Sequence, residues 1–212
     1  MDTSPTVQMF NTVYAWYWYL GVLSGAVTFA VLVYVIVRFR ATGKNQETRE
    51  MNREDRQSAW KGPLLVMILM LMVLIPVFVV TVDNMDVYAV IPTSAGPPLD
   101  IQVIGHQFSW TFIYPNGYTS EDLAVVPVNT VIVFTVTSSD VYHQFGVPYF
   151  RVKTDAIPGR TNTMWIEPVA IDNYTVQCFE LCGVGHALMI GNLAVVTQQT
   201  YDQWYSSHGG SS

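Results

Sequence analysis

Cys178-Phe-Glu-Leu-Cys182-Gly-Val-Gly-His186-Ala-Leu-Met189 brings two thiols, a carboxylate, an imidazole and a thioether into one short stretch. The spacing is Cys-x3-Cys-x3-His-x2-Met, and these are the only cysteines in the chain. Thiolate and thioether sulfur are soft donors and imidazole suits copper or zinc, so the mix points away from magnesium or calcium as the loop's ion. Methionine separates the two remaining metals, because zinc sites draw on Cys, His and carboxylate. A Cys/His/Met set completed by a second histidine is a copper electron-transfer ligand set, with Met as the weak axial donor.

One cysteine would serve a mononuclear copper centre, and this loop has two. Two thiolates could bridge two copper ions, each capped by a histidine, which calls for a second His outside the loop. The chain has four histidines: His106, His143, His186 and His208. His208 lies in a Gly/Ser tail and His106 in Gly-His-Gln. His143 follows the β-rich run Thr130-Val-Ile-Val-Phe-Thr-Val-Thr137 and is the natural donor. The competing assignment is a Cys178–Cys182 disulfide, which leaves His186 and Met189 without a role.

Working outward, residues 99–200 read as short β-rich runs near 100–105, 107–114, 131–137, 141–147, 151–155, 162–166, 173–177 and 190–197. Turn chemistry at Pro115-Asn-Gly, Val126-Pro-Val-Asn, Ile157-Pro-Gly and Ala170-Ile-Asp-Asn separates them. That pattern predicts an antiparallel sandwich or Greek-key barrel. Such a scaffold offers His143 from one strand and the cysteine loop from between two late strands.

Ahead of it the composition belongs to a membrane. The chain is 50% hydrophobic and only 12% charged, with a mean hydropathy of +0.28. A soluble domain carries about 25% charged residues. Residues 13–37 and 63–82 contain no charge, and each is long enough for a bilayer core needing about 20 helical residues. Residues 1–12 carry Asp2 and no basic residue, unlike the start of a signal peptide.

Arg38, Arg40, Lys44, Arg49, Arg53, Arg56 and Lys61 all lie between the spans, within or bordering residues 38–62. The positive-inside rule puts that loop in the cytoplasm and both termini outside. Tyr14, Trp16, Tyr17, Trp18 and Tyr19 then sit at the outer interface and Trp60 at the inner one. Pro76 falls within the second span, and residues 83–98 form a linker ending in turn residues. Residues 201–212 read as a flexible tail. No P-loop, dinucleotide fingerprint, catalytic triad or basic face for nucleic acid occurs.

Four stretches resemble the cytochrome c oxidase subunit II family. They are Gly105-His-Gln-Phe-Ser-Trp110-Thr-Phe-Ile-Tyr114-Pro, Ser139-Asp-Val-Tyr-His143-Gln-Phe, Val152-Lys-Thr-Asp155-Ala-Ile-Pro-Gly-Arg160 and the Cys178–Met189 loop. The resemblance implies a two-helix transmembrane hairpin followed by an all-β cupredoxin-like domain on the outer side of a prokaryotic cell membrane. It implies that Cys178 and Cys182 bridge two copper ions, with His143 and His186 capping one each. Met189 and the Glu180 carbonyl would be the weak ligands, and the Glu180 side chain would help hold magnesium or manganese at the catalytic subunit. Asp155 and Arg160 would face that subunit.

The implied activity is electron transfer from cytochrome c or a small copper protein to the haem-copper subunit that reduces oxygen. Other oxidase subunits and the lipid membrane would be its further partners. Two residues depart from the family pattern. Phe108 stands where relatives carry the tryptophan that receives the incoming electron, although Trp110 is kept. Gln57 replaces a glutamate near a proton-channel entrance, with Glu54 and Asp55 as nearby substitutes. From Asp83 onward eleven acidic residues face three basic ones, a balance of −8 that could steer a cationic donor. Two rival functions share these features: the copper subunit of a membrane nitric oxide reductase, and a membrane-anchored copper-binding or delivery protein.

Overall fold

The structure, a computed structural model, describes residues 4–38, 60–92 and 96–209. Two long helices come first, α1 (Pro5–Arg38) and α2 (Lys61–Ala89). Pro5 opens α1 where its missing N–H costs nothing, and the Ser4 carbonyl accepts from the Gln8 N–H at 3.1 Å. Apolar residues surround both helices instead of forming one stripe. Phe29 and Ile36 on α1, and Met72 and Phe78 on α2, are all exposed. A helix that is apolar all round belongs in a core or a membrane, and among the described residues no core covers these. Both are long and apolar enough to cross a bilayer.

The hydroxyls of Tyr17, early in α1, and Thr81, late in α2, are hydrogen-bonded, as in a hairpin of two helices. Pro76 lies inside α2 without ending it; its ring leaves the Met72 carbonyl without the usual helical donor. Gln57, Glu54 and Asp55 lie outside the described residues.

The second unit is a β-sandwich of two five-stranded sheets. Its strands are β1 (Leu99–His106), β2 (Ser109–Ile113), β3 (Thr119–Glu121), β4 (Leu123–Pro127), β5 (Ile132–Ser138), β6 (His143–Val147), β7 (Val152–Ala156), β8 (Asn162–Ile166), β9 (Asn173–Cys178) and β10 (Ile190–Val196). One sheet runs β3-β2-β1-β5-β8 and the other β4-β10-β9-β6-β7. Alternate residues of the strands point into the sandwich, as the burial of Ile101, Val103 and Gly105 on β1 illustrates. The core between the sheets is rich in aromatics. Phe145 meets Trp110, Phe112 and Phe134 at centroid distances of 5.0, 6.1 and 5.3 Å. All four rings are fully buried, at about 2–3 kcal/mol each of transfer free energy.

Helix α1 takes in residues 5–12, expected as an external segment, and α2 takes in residues 83–89, expected as linker. Three features of the second unit also differ from the sequence expectation. The sheets are mixed, since β1 pairs parallel with β5 and β10 parallel with β4. The chain changes sheets between those partners, so it returns running the same way.

Strands β3 and β4 were not anticipated. They are joined at Asp122, whose φ of 54° turns the chain from one sheet to the other. Asp122 is anchored there: its N–H donates to the Trp110 carbonyl and its carboxylate accepts from the Trp110 N–H, each at 2.8 Å.

Residues expected as a flexible tail from 201 instead form α3 (Gln198–Ser207). Thr197 caps it by accepting from the Thr200 N–H, and Tyr201 is buried against the sandwich. Trp204 packs edge-on to Tyr114 at 5.0 Å, which fixes the helix by burial of aromatic surface.

Candidate metal centre

The site lies at one end of the sandwich, where β9 stops and β6 begins. Cys178 is the last residue of β9 and His143 the first of β6, and the two strands are paired through Phe145 and Cys178. The chain then loops through Cys182 and a short 3-10 turn, His186–Leu188, before entering β10. Strand pairing therefore sets one half of the ligand group and the loop sets the other.

The donor atoms converge. The two sulfurs are 3.9 Å apart, so they are free thiols and not a disulfide. Cys178 Sγ lies 3.8 Å from His143 Nδ1 and 3.3 Å from the Glu180 carbonyl oxygen. Cys182 Sγ lies 3.6 Å from His186 Nδ1 and 3.8 Å from Met189 Sδ. Each sulfur thus has one imidazole and one weak donor beside it. Separations of this size let neighbouring atoms share an ion at bonds of about 2.0–2.3 Å. The ligands of His143, Cys178 and Cys182 all lie within 4.8 Å of one another. The donor set fits a soft metal.

The donor group is largely buried. His143 is fully buried, and Met189, Cys182 and Cys178 are 1%, 5% and 9% exposed. Burial, with Cys178 alongside, pushes the Cys182 thiol up to about 11. The Cys182 thiol therefore keeps its proton until a metal displaces it.

Asp140 orients His143. Its Oδ1 accepts from Nε2 of the ring at 2.8 Å, which fixes the proton on Nε2 and leaves the Nδ1 lone pair directed at the sulfurs. Burial would raise the Asp140 carboxyl, but hydrogen bonds from His143 and from the Gln107 and Val141 N–H groups outweigh it and hold it at about 2. The sequence placed Asp140 inside a motif without giving it this role. Its signal was the short Asp-x2-His spacing.

Trp110 is fully buried, 6.0 Å from the His143 ring between centroids. Gly105 makes that approach possible, because a Cβ there would stand 2.9 Å from Trp110 Cζ3 and 3.2 Å from His143 Cδ2. Phe108 is half-buried and lies over Gly183 and Gly185 of the ligand loop. Asp155 pairs across from Gln144 and accepts from its Nε2 and from the Tyr142 hydroxyl, each at 2.8 Å. Those bonds hold its carboxyl below the usual range. Arg160 is exposed, closing the turn that begins at Ile157. Leu181, Val184 and Leu188 form an exposed apolar rim around the loop.

Comparison with known proteins agrees with this geometry. A family model described as cytochrome C oxidase subunit II, periplasmic domain, matches residues 118–197. The heme-copper oxidase subunit 2 of Aeropyrum pernix is 33% identical over 219 residues, covering 98% of this chain and 93% of that protein. Cytochrome c oxidase subunit 2 of Alkalihalophilus pseudofirmus is 41% identical over 105 residues, 49% of this chain and 31% of the relative. The crystal structure of the periplasmic domain of subunit II of cytochrome oxidase from Bradyrhizobium japonicum superposes with a TM-score of 0.52 at 34% identity. That match covers 56% of this chain and 96% of the solved one. With its two apolar helices, its cupredoxin-like sandwich and its sulfur-centred ligand cluster, the chain belongs to the cytochrome c oxidase subunit II family of haem-copper oxidases.

Proposed function

We propose that this chain is the electron-transfer subunit of a haem-copper terminal oxidase. It takes single electrons from an external carrier, cytochrome c or a small copper protein. It hands them to the catalytic subunit for reduction of oxygen to water. The observation that carries this reading is the pairing of two buried thiols, 3.9 Å apart, with one imidazole each. A single metal needs one such half, and the second half argues for a dinuclear copper centre. Bound copper supplies one-electron redox chemistry.

The chain's own residues do the rest. Cys178, Cys182, His143 and His186 would hold the copper, with Met189 and the Glu180 carbonyl as weaker donors. Asp140 keeps the proton of His143 on Nε2. The sandwich holds all of these with little room to move between oxidation states, which keeps reorganisation small. The Glu180 side chain, Asp155 and Arg160 are assigned to the boundary with the catalytic subunit, the first as a ligand to magnesium or manganese. Phe108 covers the loop on the side assigned to the incoming electron, with Trp110 behind His143. Residues 13–37 and 63–82 are the membrane spans, with the basic loop inside and the copper domain outside.

Copper loading of the full chain in detergent tests this. Two coppers per chain, with one unpaired electron shared equally between two copper nuclei in the EPR spectrum, is the expected result. One copper with a mononuclear spectrum, or only EPR-silent Cu(I), would remove the dinuclear assignment and favour copper delivery.

A further inference from the structure

Between the two ligand-bearing segments lies the turn from β1 to β2, His106 to Ser109, and Gln107 within it reaches both. On one side its main-chain N–H donates to Asp140 Oδ2 at 2.8 Å, while the other oxygen of that carboxylate accepts from His143. On the other side its side-chain amide donates to the carbonyl of Cys182. These partners are 33 and 75 residues away in the chain, so neither contact is a by-product of local geometry.

The ligand loop is shaped to receive this turn. Gly183 has φ +138°, a conformation that favours glycine, and a Cβ there would stand 2.7 Å from Gln107 Nε2 and 3.2 Å from the Phe108 ring. A Cβ on Gly185 would overlap the same ring. Two glycines between Cys182 and His186 thus open the space that Gln107 and Phe108 fill. A solvent-exposed glutamine ordinarily spends its amide on water. Here the residue is exposed, yet its amide is spent on the carbonyl of a ligand residue.

We propose that Gln107 is a positioning residue that ties the Cys182–His186 loop to the Asp140–His143 segment, so that both halves of the site stand in register before metal arrives. Its consequence for copper rests on the function proposed above, and its geometry does not. Because Gln107 is exposed, replacing its side chain opens no cavity in the core, and Met or Glu at this position keeps the main-chain N–H that donates to Asp140.

The test uses the full chain in detergent and two variants of similar shape, Gln107→Met and Gln107→Glu. Neither can donate to the Cys182 carbonyl, and the second sets a carboxylate against it. In the metal-free chain, amide hydrogen exchange within 182–189 should quicken about tenfold, the effect of one lost hydrogen bond, while β5 and β9 keep their protection. The N–H groups of His186, Leu188 and Met189, bonded inside the loop, report this opening. In the loaded chain, copper loss to a chelator should quicken about 10–100-fold.

Unchanged loop exchange in both variants would overturn the tie, whether or not copper binds. Quicker exchange spread over every strand would reduce Gln107 to a folding role and equally overturn it. Quicker loop exchange without quicker copper loss would overturn its service to the metal. Failure of the parent chain to take up copper would sink the proposed function, while loop exchange would still decide the tie.

Discussion

Asp140 and His143 face each other across 2.8 Å, carboxylate oxygen to Nε2, and this contact decides which nitrogen of a fully buried imidazole looks toward the cysteines. A carboxylate only accepts, so the ring must donate from Nε2 and present Nδ1 to the site.

Replacing that carboxylate should therefore unsettle the ligand without unfolding the domain. Asp140→Asn offers an amide that can donate, which favours the wrong tautomer, and Asp140→Ala removes the partner altogether. Copper affinity should fall by about 10–100-fold in both. Competition with a chelator of known affinity measures this. Equal affinity in parent and variants would remove the orienting role.

Met189 should tune the site more than it builds it. It is 1% exposed and its sulfur is 3.8 Å from Cys182 Sγ. Met189→Leu keeps the volume and drops the thioether, so copper should stay bound while the reduction potential rises, since the oxidised state loses a donor. Met189→Ala should also cost about 2–5 kcal/mol of metal-free stability through the cavity it leaves. Redox titration and thermal unfolding separate the two effects, and an unchanged potential in Met189→Leu would exclude the axial role.

Gly105 carries a packing prediction. A methyl group there collides with Trp110 and presses on His143, both of which are fully buried. Gly105→Ala should destabilise the metal-free domain by about 1–3 kcal/mol and distort the copper hyperfine pattern through His143. Parent-like unfolding together with a parent-like spectrum would show that the core gives way at no cost.

Acid sensitivity follows from Asp155. Hydrogen bonds from Gln144 and Tyr142 lower its carboxyl from the usual 3.8. An acid stabilised in its charged form contributes stability that is present above its unfolded pKa and lost as pH falls through the lowered folded value. Asp155→Asn should flatten the stability profile in that acid window and leave it parallel to the parent at neutral pH. The effect should be on the order of 0.5 kcal/mol, because the carboxylate is largely solvated. Denaturant unfolding across the acid range reads it, and an undiminished acid slope would assign the loss elsewhere.

Much of this was legible in the residues. The Cys178–Met189 loop is local in sequence, so its donor set and spacing announce a soft metal without any tertiary knowledge. The two apolar helices are as plain, because a bilayer imposes a length and a composition that no other solvent does. Helix α3 had a signal too: Tyr201, Trp204, Tyr205 and His208 recur at helical spacing behind Thr197, but the Gly/Ser end of the chain masked it. Strands β3 and β4 gave little warning, since the switch of sheets rests on one residue, Asp122, in a conformation its type adopts only occasionally.

By itself, then, the sequence determined which atoms are offered to a metal, that two long apolar helices precede them, and that a β-sandwich carries them. Only the tertiary structure decided how those atoms are held. His143 meets Cys178 through the pairing of β6 with β9, Asp140 turns its ring, and Gln107 bridges to Cys182 from 75 residues away. Spacing in a chain encodes contacts made within one turn or loop. Contacts made by closing long loops appear only once the core has fixed where each strand ends.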